Sequence, residues 1–138
     1  MKIKSEQEML KLGEEFARKC QSASDKPTVI ELVGDVGAGK TTFTRGLAKG
    51  LGVKDAVTSP SFTISKAYAL PQGGTLIHYD FYRLPDPGIM IDDLEDKLGD
   101  ANNIIVIEWG ESVADILPEK HFKVNIIYTD DGCREVEL

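Results

Sequence analysis

Residues 34–41 read Gly-Asp-Val-Gly-Ala-Gly-Lys-Thr, a G-x-x-x-x-G-K-[ST] pattern that dictates what must stand on either side of it. Ahead of it runs Thr28-Val29-Ile30-Glu31-Leu32-Val33, β-branched and largely apolar, the composition of a buried parallel strand. Behind it, Phe43, Leu47 and Leu51 recur at helical spacing, so the segment from Thr41 to Leu51 is expected to be a helix with one apolar face. A strand that feeds a glycine loop and then a helix needs a parallel neighbour, which only a crossover can supply. The expected fold is therefore α/β, a P-loop NTPase-like three-layer sandwich. Its central sheet should be mixed, with parallel core strands and antiparallel hairpins added to them.

The loop chemistry is that of polyphosphate binding. Gly34, Gly37 and Gly39 let successive backbone N–H groups converge on phosphate oxygens at the positive end of the following helix. The expected nucleotide contacts are Asp35, Val36, Gly37, Ala38, Gly39, Lys40, Thr41 and Thr42, with Lys40 adding a mobile positive charge. The Thr41 hydroxyl is placed for Mg²⁺, which prefers octahedral oxygen ligation and keeps part of its water shell.

At 138 residues the chain is expected to form one domain, 1–138, with little room beyond a nucleotide site. Its net charge of -7 disfavours unaided binding to RNA, so any nucleic acid should be reached through a partner. Cys20 and Cys133 lack metal-ligand spacing, and only His78 and His121 could join them, which argues for two reduced thiols. The start, Met1-Lys2-Ile3-Lys4-Ser5-Glu6, has no apolar core of a signal peptide, and no later run reaches bilayer length. A cytoplasmic protein is expected.

Ser5-Glu6-Gln7-Glu8 reads as a capping box, with Met9, Leu12 and Phe16 on one face of a helix running to about Cys20. After the loop helix, Gly52 is a plausible cap, and the hydroxyl-rich Thr58-Ser59-Pro60-Ser61-Phe62-Thr63-Ile64 is either a plain turn or a segment that senses the γ-phosphate. Phe62 to Leu70 and Thr75 to Phe81 form a hairpin across Pro71-Gln72-Gly73-Gly74. A short acidic helix follows, with Ile91, Leu94 and Leu98 inward and Asp92, Asp93, Glu95 and Asp96 outward. Asn103 to Ile107 is the most apolar short run and delivers Glu108 at a strand end, where open α/β sheets bind ligands. Val113, Ile116 and Leu117 mark a short helix before Pro118. Phe122, Val124, Ile126 and Tyr128 alternate as a strand, turned at Asp131-Gly132 into a return strand from Cys133 to Leu138.

A phosphate loop needs a carboxylate to hold or orient hydrated Mg²⁺, and both Asp80 and Glu108 close extended apolar runs. Glutamate is the less usual metal anchor and the better water-orienting base. Asp80 is thus assigned with Thr41 to the Mg²⁺ shell and Glu108 to positioning the attacking water, with Glu108 also counted at the metal and Lys40 as its catalytic companion.

Four signatures then occur in order: Gly-Asp-Val-Gly-Ala-Gly-Lys-Thr-Thr at 34–42, Ser-Pro-Ser-Phe-Thr at 59–63, His-Tyr-Asp-Phe-Tyr-Arg-Leu at 78–84 and Ile-Glu-Trp-Gly-Glu at 107–111. Together they closely resemble the TsaE family, ATPase subunits for threonylcarbamoyladenosine modification of tRNA. The resemblance spans roughly Glu31 to Pro118, and the last three signatures are narrow. It implies a P-loop ATPase using ATP and Mg²⁺ and acting with the proteins TsaD and TsaB. Within the family pattern, Lys40 and Thr41 bind nucleotide and metal, Asp80 helps bind Mg²⁺, and Glu108 is needed for hydrolysis. Ser61 stands where the family usually has threonine, keeping the hydroxyl and losing the methyl. Residues 85–103 depart further, being acidic and proline-broken.

Ser59, Ser61, Thr63, Arg83 and Trp109 are the candidate switch or partner contacts. Trp109 is read either as a core aromatic that fixes the strand end or as a nucleotide contact, and Arg83 either as a phosphate or partner contact or as a surface residue. Arg45 is expected outward, with Arg18 and Arg134 in peripheral elements, which leaves the site short of a cation and its hydrolysis weak without partners. The competing readings are a small-molecule kinase, against which the scarcity of arginines for a lid speaks, and a non-hydrolysing ATP-dependent adaptor. A GTP switch lacks its Asn-Lys-x-Asp base-reading motif.

Overall fold

The apolar run ahead of the glycine loop and the one that ends at Glu108 become neighbours in one sheet. The computed structural model describes residues 1–20, 25–35, 37–58, 65–82 and 88–138. In chain order the elements are β1 (Lys2–Ile3), α1 (Glu6–Cys20), β2 (Thr28–Val33), α2 (Lys40–Gly50), β3 (Ser65–Ala69), β4 (Thr75–Asp80), α3 (Ile89–Leu98), β5 (Asn103–Glu108), a 3-10 segment (Gly110–Ile116), β6 (Phe122–Tyr128) and β7 (Arg134–Glu137). The sheet order is β1-β7-β6-β2-β5-β4-β3. Strands β6, β2, β5 and β4 are mutually parallel, whereas β3, β7 and β1 pair antiparallel to their neighbours. The fold is α/β with a mixed sheet, as expected.

Strand alternation divides the core between two faces. Ile30, Leu32, Leu76, Ile104, Val106, Val124 and Ile126 join Met9, Leu12 and Phe16 of α1 and Phe43 and Leu47 of α2 in one cluster. Val29, Ile77, Tyr79, Ile105 and Ile107 form the other, covered by Leu94 of α3 and Val113 of the 3-10 segment. All six residues of β5 are buried, which accounts for its unbroken apolar run.

Helix α1 begins on Ser5, whose Oγ accepts from Glu8 N at 3.1 Å, while the Glu8 carboxylate accepts from Lys4 N at 2.6 Å. The capping box is therefore realised with its return bond one residue early. Helix α2 ends in a Schellman arrangement: Val53 N donates to Ala48 O and Gly52 N to Lys49 O, with Gly52 at φ +87°. The two helices touch through glycines. A Cβ on Gly46 would sit 2.1 Å from the Leu10 carbonyl oxygen, and one on Gly13 would sit 2.4 Å from that of Phe43.

Two local features depart from expectation, and the short helix expected before Pro118 is present in 3-10 form. Strand β1 was not foreseen, because two residues carry no period; β7 pairs with it and with β6, which brings both ends of the chain to one edge. Asp93 does not simply point outward: its Oδ2 accepts the Tyr79 hydroxyl at 2.6 Å, tying α3 to the end of β4. Among the described residues, no helix is long and apolar enough to cross a membrane.

Candidate functional site

Register places the site residues. Asp80 at the end of β4 lies opposite Glu108 at the end of β5, and Glu108 lies opposite Leu32 near the end of β2. The glycine loop leaves β2 at that same edge. Strand alternation also sets His78, Asp80 and Glu108 on the α2 side of the sheet, where Lys40 opens its helix. The loop turns through Gly37 at φ +83° and Gly39 at φ +110°, both in the left-handed region that a side chain would strain.

Four charged or polar side chains are buried here: Lys40 at 5% exposure, His78 at 0%, Asp80 at 8% and Glu108 at 4%. Lys40 Nζ donates to Gly34 O at 2.6 Å and stands 3.7 Å from Glu108 Oε1. The other oxygen of Glu108 is 2.5 Å from His78 Nε2. Asp80 Oδ1 accepts from Tyr82 N at 2.9 Å. Beside Asp80, burial first and then the bond to Asp93 push the Tyr79 phenol well above its ordinary pKa, so it remains the donor in that contact.

Trp109 follows Glu108 with φ +57°, the one non-glycine residue of positive φ among the described residues. A bulky side chain in this region is strained, and that strain is typical of functional sites. The turn sets the indole 4.1 Å from Lys40 Nζ and 4.7 Å from the Tyr82 ring. The half-buried indole stands over the loop lysine and also packs against the second core cluster.

A single cavity of about 560 Å³ gathers Gly37, Gly39, Lys40, Thr41, Thr42, Asp80, Tyr82, Glu108 and Trp109. It continues past the loop to Ser5, Met9 and Arg134. Thr41 and the two carboxylates are hard oxygen donors, suited to Mg²⁺. They are fewer than an all-protein cage requires, so water and phosphate oxygens would complete the shell. Val36, Ser59, Ser61, Thr63 and Arg83 lie outside the described residues.

The profile described as "Threonylcarbamoyl adenosine biosynthesis protein TsaE" matches residues 3–136. The chain belongs to the TsaE family. The tRNA threonylcarbamoyladenosine biosynthesis protein TsaE of Haemophilus influenzae is 39% identical, with 99% of this chain and 85% of that protein covered. The protein of the same name from Streptomyces coelicolor is also 39% identical, over 86% of this chain and 78% of the relative. Among solved structures, YdiB of Bacillus subtilis superposes with a TM-score of 0.75 at 30% identity, covering 99% of this chain and 80% of that one.

Two residues at this TsaE site carried no role in the sequence reading. Arg134, expected in a peripheral element, lies on the glycine loop: Nε donates to Ala38 O at 3.2 Å and a terminal nitrogen to Gly37 O at 3.3 Å, with the guanidinium 3.9 Å from the Tyr128 ring centroid. The correction has a plain cause, since the β6–β7 hairpin returns the chain to the loop across 96 residues and leaves no local signal. His78 lay within a recognised signature without a role. Its spacing of two from Asp80 on one strand was the signal available.

Proposed function

We propose that this TsaE-family chain binds ATP with Mg²⁺ at residues 35–42 and serves tRNA threonylcarbamoyladenosine biosynthesis as an ATPase subunit. The observation that carries the reading is the convergence of the loop lysine, the Thr41 hydroxyl and the Asp80–Glu108 pair on one cavity at the C-terminal edge of the parallel strands. Loop amides and Lys40 would hold the triphosphate, Thr41 and Asp80 the metal shell, and Glu108 the attacking water. Mg²⁺ would neutralise the charge that develops on the transferred phosphoryl group. Lys40 donates to the Gly34 carbonyl and lies beside the Trp109 ring, which itself contacts Tyr82.

Hydrolysis by the chain alone is weak in this reading. Arg134 is already engaged by the carbonyls of Gly37, Ala38 and Gly132, so its guanidinium braces the loop and is not free to meet the transferred phosphoryl group. An arginine supplied from outside is worth about 10³–10⁵ in rate in related chemistry. TsaD and TsaB are the proposed partners, with docking coupled to the nucleotide state and tRNA reached through the complex. The relatives' name supports this pathway, and the net charge of -7 fits indirect contact with tRNA.

Isothermal titration of wild type and Lys40→Ala with ATP and Mg²⁺ tests the site. Wild type should bind and the variant should lose most of its affinity. At a hundredfold excess of ligand over Kd, wild type should gain about 2.7 kcal/mol of stability. Equal affinity in both proteins would remove the assignment.

A further inference from the structure

We propose that His78 is a positioning residue for Glu108: it claims the carboxylate oxygen Oε2 and leaves Oε1 as the one oxygen available to the reacting water. The inference rests on the reading of Glu108 as the residue that orients that water. His78 is completely buried on β4, with Nε2 2.5 Å from Glu108 Oε2. Its other ring nitrogen, Nδ1, is buried without a hydrogen-bond partner among the described residues. Packing does not explain this residue, since leucine would fill the space with no orphaned polar atom, and such orphans in native proteins call for a reason.

The orphan also selects the tautomer. Buried N–H groups without partners are rarer than buried acceptors with a spare lone pair. The ring hydrogen therefore sits on Nε2, donated to Oε2, and Nδ1 keeps its lone pair. Oε1 points to the Lys40 side, 3.7 Å from Nζ, where both residues line the cavity. With Oε2 held by His78, the carboxylate plane is fixed and Oε1 is the oxygen presented on the Lys40 side. Glu108 thus offers a single, fixed oxygen, an orienter that is itself oriented.

His78→Leu and His78→Gln separate this role from packing. The leucine variant should fold, bind ATP and Mg²⁺ as tightly, and hydrolyse about 10–100-fold more slowly under conditions where wild type hydrolyses. Glutamine can return an N–H to Oε2 and should recover most of the rate. In a Glu108→Ala background, His78→Leu should have no further effect, because the two residues act as one unit. Nitrogen NMR on histidine-labelled wild type should show Nε2–H and a bare Nδ1 for the signal absent from His78→Leu. A folded His78→Leu that hydrolyses at the wild-type rate, equal losses in the leucine and glutamine variants, or the opposite tautomer would overturn the proposal. Failure of wild type itself to hydrolyse ATP would instead count against the role of Glu108, and the tautomer would still decide whether His78 holds Oε2.

Discussion

Lys40 is held on three sides, by the Gly34 carbonyl, the Glu108 carboxylate and the Trp109 ring. Trp109 is the only tryptophan in the chain, so its fluorescence reports on this one lysine. Addition of ATP and Mg²⁺ should draw Lys40 away from the indole and change the emission, and Lys40→Ala should abolish the ATP-dependent part. A spectrum blind to nucleotide in a protein that binds it would place Trp109 outside the event. A second residue-scale prediction concerns pH. Burial pushes the Cys20 thiol from 9.0 up to about 12, so the folded state resists its ionisation. With the folded pKa raised, the associated stability is intact below the unfolded value and is lost as pH climbs from about 9 towards 12, at up to roughly 1.4 kcal/mol per pH unit. Denaturant midpoints across that range should fall less steeply in Cys20→Ala, and an unchanged slope would contradict the burial argument. At this scale, legibility followed distance along the chain. The placement of Lys40, Thr41, Asp80 and Glu108 could be anticipated because Asp80 and Glu108 end strands, and Lys40 and Thr41 open the helix that follows the glycine loop. Arg134 could not, since its partners at Gly37 and Ala38 lie 97 and 96 residues away, across α2, α3 and four strands.

At the scale of elements, the contact between α1 and α2 determines how the loop helix sits. Gly46 faces the Leu10 carbonyl so closely that a methyl group cannot enter without moving one helix. Gly46→Ala should therefore destabilise the protein by about 1–3 kcal/mol or more, although alanine favours helix in isolation. Urea unfolding measures the difference, and a variant as stable as wild type would refute this packing. The periods that announce elements were clear: 3.6 for Met9, Leu12 and Phe16, two for Val124 and Ile126, and an unbroken apolar run for β5. Their ends were clear where turn chemistry was strong, as at Pro71 to Gly74, where Gly73 N donates to Leu70 O and Leu70 N to Gly74 O. What stayed hidden was pairing that carries no period. The two residues of β1 are recruited by the exposed edge of β7, and Asp93 is recruited by the buried Tyr79 hydroxyl that needs an acceptor.

For the molecule as a whole, alternating patterns announce that strands exist but not which one lies beside β2. The order β6-β2-β5-β4 is what sets loop, Glu108 and Asp80 side by side, and it comes from tertiary packing of the two helix layers. The central claim is that the site binds ATP completely but hydrolyses it well only with partners. Phosphate release measured for wild type and Glu108→Ala, each with and without TsaD and TsaB, tests it most directly. The predicted result is slow release by wild type alone, marked acceleration by TsaD and TsaB, and a loss of about 10²–10⁴ in the accelerated rate for Glu108→Ala. Full-speed release by the isolated chain, or a Glu108→Ala variant as fast as wild type in the complex, would contradict it.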